Sequence, residues 1–352
     1  MAMILDGTNG VTFNDASLQG AAASPFGLKN KIINGGMDIS QRNTSYTSAN
    51  SENNDDTYVL DRFYILSDGN DTIDVTQTTT VPTGAKYSIG LDVETINKKF
   101  GIAQIIENAN CFDVIGGAVT VSFQAKVSST TKLNNIKCAI VAWSGTADTV
   151  TSDIISAWGA EGTNPTLIAN ATYENTPVNL NVTTSFATYS VTATVDTAST
   201  SNLILFIWSD VTDTTLGDFL YITNVQLERG STATPFERRL YNQELANCQR
   251  YFWKPNNAFL MQGITSNRIA TNIFYPAQMR ANPTLSLSTT TPYWESVPYN
   301  TVGSITSGAA EGSKLTNMGG QMSFTGTFGT TPVQSYPGLF GTGTEITFSS
   351  EL

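Results

Sequence analysis

Histidine is absent from the 352 residues, and charge of either sign is scarce: Asp, Glu, Lys and Arg together make up 13% of the chain. Without imidazole there is no Ser-His-Asp or Cys-His activation and no His-ligated metal. Cysteine is nearly absent too. Cys111, Cys138 and Cys248 are odd in number and far apart, with no CxxC pair. That argues against a structural zinc site, and Cys138, inside an apolar run, reads as a small core residue. No base stands by to activate a thiol. No apolar run approaches the roughly 20 residues of a membrane-spanning helix. MAMILDGTNG lacks the basic start and apolar core of a secretory signal, so synthesis in a reducing cytosol is expected. Walker loops, GxGxxG after a strand, heptads and fixed-period repeats are all missing.

What charge there is leans acidic, with 18 basic against 29 acidic side chains and a net charge of -11. Such a surface repels nucleic acid and anionic membranes, so no nucleic-acid partner and no membrane insertion are expected. It suits a salty or divalent-rich medium, where self-repulsion is screened. Thr, Ser, Asn and Gly take the place of charge, a composition for strands and turns. The length fits two or three domains.

The stretch Phe219 to Phe252 organises the chain. Phe219, Tyr221, Val225 and Leu227 alternate with polar neighbours, as in a strand with one buried face; Thr223, Asn224 and Gln226 mark its polar side. Gly230 and Pro235 break the pattern. Tyr241, Leu245, Cys248 and Phe252 then recur at spacings of four, three and four, one stripe of a helix. Asn242 is placed to cap it, Glu244 lies in the first turn and Arg250 in the last, where each charge suits the helix dipole.

Upstream, Val119, Val121, Phe123, Ala125 and Val127 alternate with Thr120, Ser122, Gln124, Lys126 and Ser128, a half-buried strand. Ala187 to Val195 repeats the pattern with hydroxyls. Ile136–Trp143 and Leu203–Trp208 are denser apolar runs, expected of central strands covered on both faces. Turn-rich segments separate them. The fold class read from this is all-β: a jelly-roll-like sandwich over residues 29–253, ending in a short helix. Residues 1–28 form an N-terminal arm, too short to bury a core of its own. Residues 254–352 form a second β-rich unit with very little charge.

The stretch YITNVQLERGSTATPFERR followed by LANCQRYF resembles a segment of many bacteriophage tail-fibre and receptor-binding proteins. Their domain opens with a strand like NKIINGGMDISQR at residues 30–42, soon followed by a step like Asp61-Arg62-Phe63. DGTNGVTF in the arm is similar to tail-fibre lead-ins. The resemblance covers roughly residues 29–253 and implies a sandwich of carbohydrate-binding-module size. It also implies a virion tail subunit, with the arm attached to a tail adaptor or nozzle protein. The charge-poor last unit either packs against sister subunits or presents a hydroxyl- and aromatic-rich surface, and the resemblance favours the first, a homotrimer. The implied outer partner is a host surface polysaccharide or lipopolysaccharide. The alternative class is a structural virion protein, an adaptor or capsid decoration fibre without receptor binding; a third is an enzyme that trims surface polysaccharide.

Candidate sites follow from residue chemistry. Sugars stack their C–H faces on Trp and Tyr. Trp143, Trp208 and Trp253 lie in apolar stripes and read as core. Trp158 lies in a Gly-rich loop, and Tyr293, Trp294 and Tyr299 lie in TTTPYWESVPYN, a Pro-bounded segment with neither strand nor helix period. The latter three are either a glycan platform or a trimer contact. Acidic groups at Glu52, Asp55, Asp56 and Asp61, at Asp68, Asp71 and Asp74, and at Asp210, Asp213 and Asp218 could hold a structural calcium, but none has a dedicated calcium-loop pattern and polar loops explain them as well. Paired carboxylates are the one route left to catalysis, and a solvated acidic surface is the preferred reading, so no enzyme activity and no cofactor are expected. Arg42, Arg62 and Arg238 are expected to pair with Asp61 or Glu237 and tie the first strands to the last.

Overall fold

The computed structural model describes residues 29–50, 52–255, 262–265, 268–287, 293–296, 301–327, 338–340 and 346–352, together with the short strands Ile4–Asp6, Gly10–Thr12 and Leu18–Gln19, which pair into a small antiparallel sheet. The described residues are all-β apart from the helix Tyr241–Gln249 and two short 3-10 turns. Residues 29–253 build two antiparallel sheets. The back sheet runs in the order Ala171–Tyr173, Ile136–Trp143, Asn202–Ser209, Phe100–Ile106, Tyr64–Ser67. The front sheet runs Ala187–Thr194, Ala118–Val127, Phe219–Arg229, Ser88–Val93, Ile73–Thr78, Ser45–Tyr46.

Side-chain alternation explains how the sheets pack. Val119, Val121, Phe123, Ala125 and Val127 point inward from the front sheet against Ile136, Cys138, Ile140, Leu203, Leu205 and Ile207 of the back sheet. The opposite parity of the back strands is apolar as well. Val141, Ile204, Phe206 and Trp208 form a second cluster on the outer side, beneath Val150, Ile154 and Trp158. Strands buried on both faces need apolar residues at every position, which is why Ile136–Trp143 and Leu203–Trp208 are unbroken apolar runs.

The segments that carry the tail-fibre resemblance hydrogen-bond to each other. Lys31 N donates to Leu227 O at 2.8 Å and Val225 N to Gly35 O at 2.8 Å. The Asn30 side chain accepts from Leu227 N at 3.0 Å and donates to Val225 O at 3.1 Å. Gly35 must be glycine, because a Cβ there would lie 2.0 Å from Val225 O. The opening NGG is thus fitted to the backbone of the closing strand.

Two local readings are corrected. The closing strand does not keep one parity. Asn224 adopts φ 50 and the register slips between Thr223 and Gln226, a β-bulge that reverses the alternation. The core residues are therefore Leu220 and Ile222 before the bulge and Val225 and Leu227 after it, while Phe219 and Tyr221 turn to the outer face. In the helix, Leu240 is the N-cap and no side chain caps it. The buried helix residues are Glu244 and Cys248, and Tyr241 is exposed. Glu244 is buried because it accepts from the backbone N–H of Asn34 and from Arg239 Nη1 at 3.0 Å. A satisfied carboxylate can take a core position that the apolar count gives to Leu245.

Beyond the helix, Phe252–Trp253 pairs with Ile346–Ser349, which pairs in turn with Thr284–Leu287. A six-stranded sheet follows, in the order Gln262–Thr265, Arg268–Phe274, Gly319–Thr327, Thr301–Thr316, Tyr293–Ser296, Gly338–Phe340. Ile273, Met279, Met322, Phe324 and Phe348 form its core, with Trp253 packed against them.

Candidate functional site

The outer face of the front sheet is polar by pattern, since its inward residues are the apolar ones. Its far end is covered: Thr120 Oγ1 donates to Gly230 O at 2.8 Å, and Thr234 N donates to Glu228 Oε1 at 2.8 Å, which holds the segment after the closing strand across the sheet. The near end is half open. The register places Tyr221 between Lys126 and Gly90, with Thr76 beyond Gly90. Phe219 stands opposite Asp92, and Asp92 opposite Asp74. Thr223 follows, beside Gln124, with Thr188 beyond it.

Phe219 and Tyr221 are brought together by the strand period. Their rings stack with centroids 5.2 Å apart and planes 8° apart. Gly90 lies beside Tyr221: a Cβ there would touch Tyr221 Cε1 at 3.4 Å, an ordinary contact, and press on Thr76 Oγ1 at 3.2 Å. A bare strand glycine beside a tyrosine on the neighbouring strand is partly explained by cross-strand packing. The Lys126 ammonium lies 5.0 Å from the Tyr221 ring centroid and 5.4 Å from that of Phe186.

Electrostatics divide this face. Burial, together with Glu94, Asp74 and Asp218, pushes the Asp92 carboxyl up to about 6. Its Oδ1 is buried without a hydrogen-bond partner. Burial raises Asp74 as well, against a hydrogen bond from Asn53 at 2.9 Å. The Tyr221 phenol is raised by burial and by Asp92.

The residues singled out from the sequence are dispersed. Trp158 is not a free platform: it is 8% exposed and packs edge-on against Phe206, with centroids 5.9 Å apart. The cause is Lys99, wholly buried beneath that loop, which donates to Ala160 O at 2.7 Å, to Thr163 O at 2.9 Å and to Asp210. A lysine four strands away in sequence pulls the Gly-rich loop down. Tyr293 and Trp294 lie on the strand Tyr293–Ser296, paired with residues 301–304, not in a segment without strand period. Their side chains, and Tyr299 altogether, lie outside the described residues.

The arginine pairings also differ from expectation. Arg42 and Arg62 both pair with Glu351, Arg42 at 3.0 Å. Asp61 instead accepts the backbone N–H of Gln41 at 2.6 Å. Arg238 lies 3.8 Å from Asp38 and donates to Gly84 O at 2.6 Å. The acidic groups meet other partners: Asn53 Nδ2 donates to both Asp71 Oδ1 at 2.8 Å and Asp74 Oδ1 at 2.9 Å, and the third group is dispersed. Asp210 is held by Lys99 and, at 2.7 Å, by Lys137; Asp213 pairs with Lys132 at 2.8 Å; Asp218 accepts Thr215 N–H at 2.9 Å. Among the described residues no three His, Cys, Asp or Glu side chains are arranged to hold a metal ion.

Phe219, Tyr221 and Lys126 were not singled out as a site. The signal available was the alternation itself, in which Lys126 is an outward residue, but the bulge at Asn224 hid the matching parity of the two aromatics.

No family model matches the chain and no curated protein matches it. Among solved structures it is similar to the enzymatically active domain of bacteriophage CBA120 tailspike protein 4, at 17% identity and a TM-score of 0.33, over 57% of this chain and 22% of that one. It is also similar to a CBM4 structure, at 14% identity and a TM-score of 0.30, over 56% of this chain and 98% of that one. A third is the CBM22-1 xylan-binding domain from Paenibacillus barcinonensis Xyn10C, at 13% identity and a TM-score of 0.29, over 54% and 94%.

Proposed function

We propose that this chain is a phage tail-fibre subunit that holds a host surface glycan on the half-open end of its front sheet and does no chemistry on it. The observation that carries the glycan reading is the stacked pair Phe219 and Tyr221 on a polar sheet face. Around it stand groups able to hydrogen-bond sugar hydroxyls: Gln124, Thr76, Thr188 and the carboxylates Asp74 and Asp92. Half-buried aromatic rings beside a few polar groups are the chemistry that grips a sugar's C–H face and reads its hydroxyls. The tail-fibre part is supported by the paired opening and closing segments, which resemble that family in sequence and contact each other in the fold. A trimer would multiply weak sugar contacts by avidity.

The test is adsorption of the purified protein to host cells and to a glycan array, with wild type and F219A/Y221A. Loss of two central aromatics is expected to weaken binding at least about tenfold, with circular dichroism unchanged. Unchanged binding by the double variant would remove the front face from consideration. Release of reducing sugar from bound glycan, abolished by D92N, would overturn the reading of binding without chemistry.

A further inference from the structure

The half-open end of the front face has two electrostatic characters. Around Tyr221 the uncommitted polar groups donate. Lys126 has two aromatic contacts and takes part in no ion pair among the described residues. Six other lysines pair with carboxylates, and Lys86, over the Tyr87 ring, shares with Lys126 the lack of an ion pair among the described residues. Gln124 gives its carbonyl oxygen to Asn224 Nδ2 at 2.6 Å, so its NH2 group is left to donate. Toward the next strands the character reverses: Asp92 and Asp74 face each other with no basic partner among the described residues, and Asp92 keeps an unpartnered Oδ1.

Rings on two sides hold the lysine stem and strip part of the water from its ammonium. A counter-charge brought to such a cation gains more than at an open surface, because less side-chain freedom is lost and the local dielectric is lower. Among the described residues no carboxylate pairs with Lys126 as that counter-charge. We infer that the glycan held here carries an anionic sugar unit, a uronate or similar carboxylate-bearing residue, whose carboxylate pairs with Lys126 while its ring lies beside Tyr221. This rests on the reading of the front face as the glycan site. The carboxylates at the other end repel a second anion, so the units lying toward Asp92 are neutral. The bound chain therefore has a defined direction across the strands.

The experiment uses the full chain on an array of oligosaccharides that each bear one uronate or ulosonate, printed beside their carboxyl-reduced counterparts. Wild type is expected to bind at least one acidic member about tenfold more tightly than its reduced form, a preference that shrinks with added salt. K126M should bring the acidic affinity down to that of the reduced partner, and K126R should retain the preference. Equal affinity within every pair, an acid preference that survives K126M, or no acidic glycan bound at all would overturn the inference. F219A/Y221A separates the two levels. If neutral glycans bind and are lost in that variant while no acid preference exists, only the anionic assignment falls. If bound glycans survive in that variant, the front-face site falls with it.

Discussion

Asp56 is the residue at which the fold is least at ease. It holds φ 62, and its Oδ1 is buried with no hydrogen-bond partner. Burial first, then Asp55 and Asp153, push its carboxyl up to about 7, and Asp92 is raised to about 6. A carboxyl with a raised folded-state pKa favours folding while it is protonated. That contribution is complete below the ordinary 3.8 and is lost as pH rises through about 6 for Asp92 and about 7 for Asp56. Glu107 acts in the other sense. Burial would raise it, but hydrogen bonds from Arg250 and Tyr251 prevail and lower it, so its contribution is present above its ordinary 4.5 and is lost in acid. Thermal stability is therefore expected to peak at about pH 4–4.5, where the Glu107 contribution is nearly complete and the loss from Asp56 and Asp92 has only begun, and to fall by pH 8. D56N, which imitates the protonated acid, should raise Tm by roughly 2–4 °C at pH 8 and leave it unchanged near pH 4. Melting scans across that range check this; a D56N that melts lower than wild type at pH 8 would refute it.

Among the elements, the closing strand shows how far a sequence pattern reaches. Strands with unbroken alternation, such as Ala118–Val127, are legible in their facing, because every second residue is apolar and core, although Thr120 and Ser122 on the other parity are buried as well. Ile136–Trp143 and Asn202–Ser209 are equally legible as strands covered on both faces. The closing strand is legible as a strand but not in its facing, since one inserted residue reverses every side chain beyond it. Composition signals nothing there: Asn tolerates a positive φ, yet most Asn residues do not mark bulges. The helix misleads for a related reason, since hydrophobicity counts cannot foresee that Arg239 and the Asn34 N–H make Glu244 a core residue. The candidate site was hidden by the same bulge, and Trp158 was misplaced because the lysine that draws its loop inward is 59 residues away. Deleting Asn224 tests the bulge directly. Removing the extra residue leaves Gln226 opposite Ser122 and turns the strand into one unbroken alternation, with Leu220, Ile222, Val225 and Leu227 all still facing the core. The deletion variant should therefore fold, with a Tm lowered by loss of the Asn224 contacts to Gln124 and Arg238. N224G keeps the positive φ and should stay folded with a Tm near wild type. A deletion variant that fails to fold, judged by limited proteolysis and circular dichroism, would refute the reading of Asn224 as a single inserted residue.

On the scale of the whole molecule, the segment 346–352 joins parts that the sequence presents as separate. Ile346–Ser349 pairs with Phe252–Trp253 on one side and Thr284–Leu287 on the other. Arg280 donates to Ser350 O at 2.7 Å and Glu351 O at 2.8 Å, and Tyr58 Oη donates to Leu352 O at 2.7 Å. The Leu352 side chain enters the cluster on the outer side of the back sheet. At the centre, Arg62 is 1% exposed, lies 3.7 Å from the Tyr251 ring centroid, and has Glu351 as its ion-pair partner. Arg42, 3.7 Å from the Phe252 ring centroid, shares that carboxylate. Removing one partner of a buried pair leaves a stranded charge and costs about 3–5 kcal/mol, whereas replacing both by apolar side chains is often near neutral. E351A should therefore destabilise the sandwich itself, although Glu351 lies 289 positions from Arg62. R62M/E351L removes the stranded charge at Arg62 but still leaves Arg42 without its carboxylate, so it should recover part of the loss and show coupling in a double-mutant cycle. Guanidinium denaturation followed by Trp208 fluorescence, with the other tryptophans replaced by Phe, reads the sandwich because that residue is wholly buried in the back sheet. A midpoint shift in this signal on E351A, partly reversed in the double variant, means that residues 29–253 and the closing segment fold as one cooperative unit. An unmoved midpoint would mean that the Arg62–Glu351 contact joins two units that stand independently.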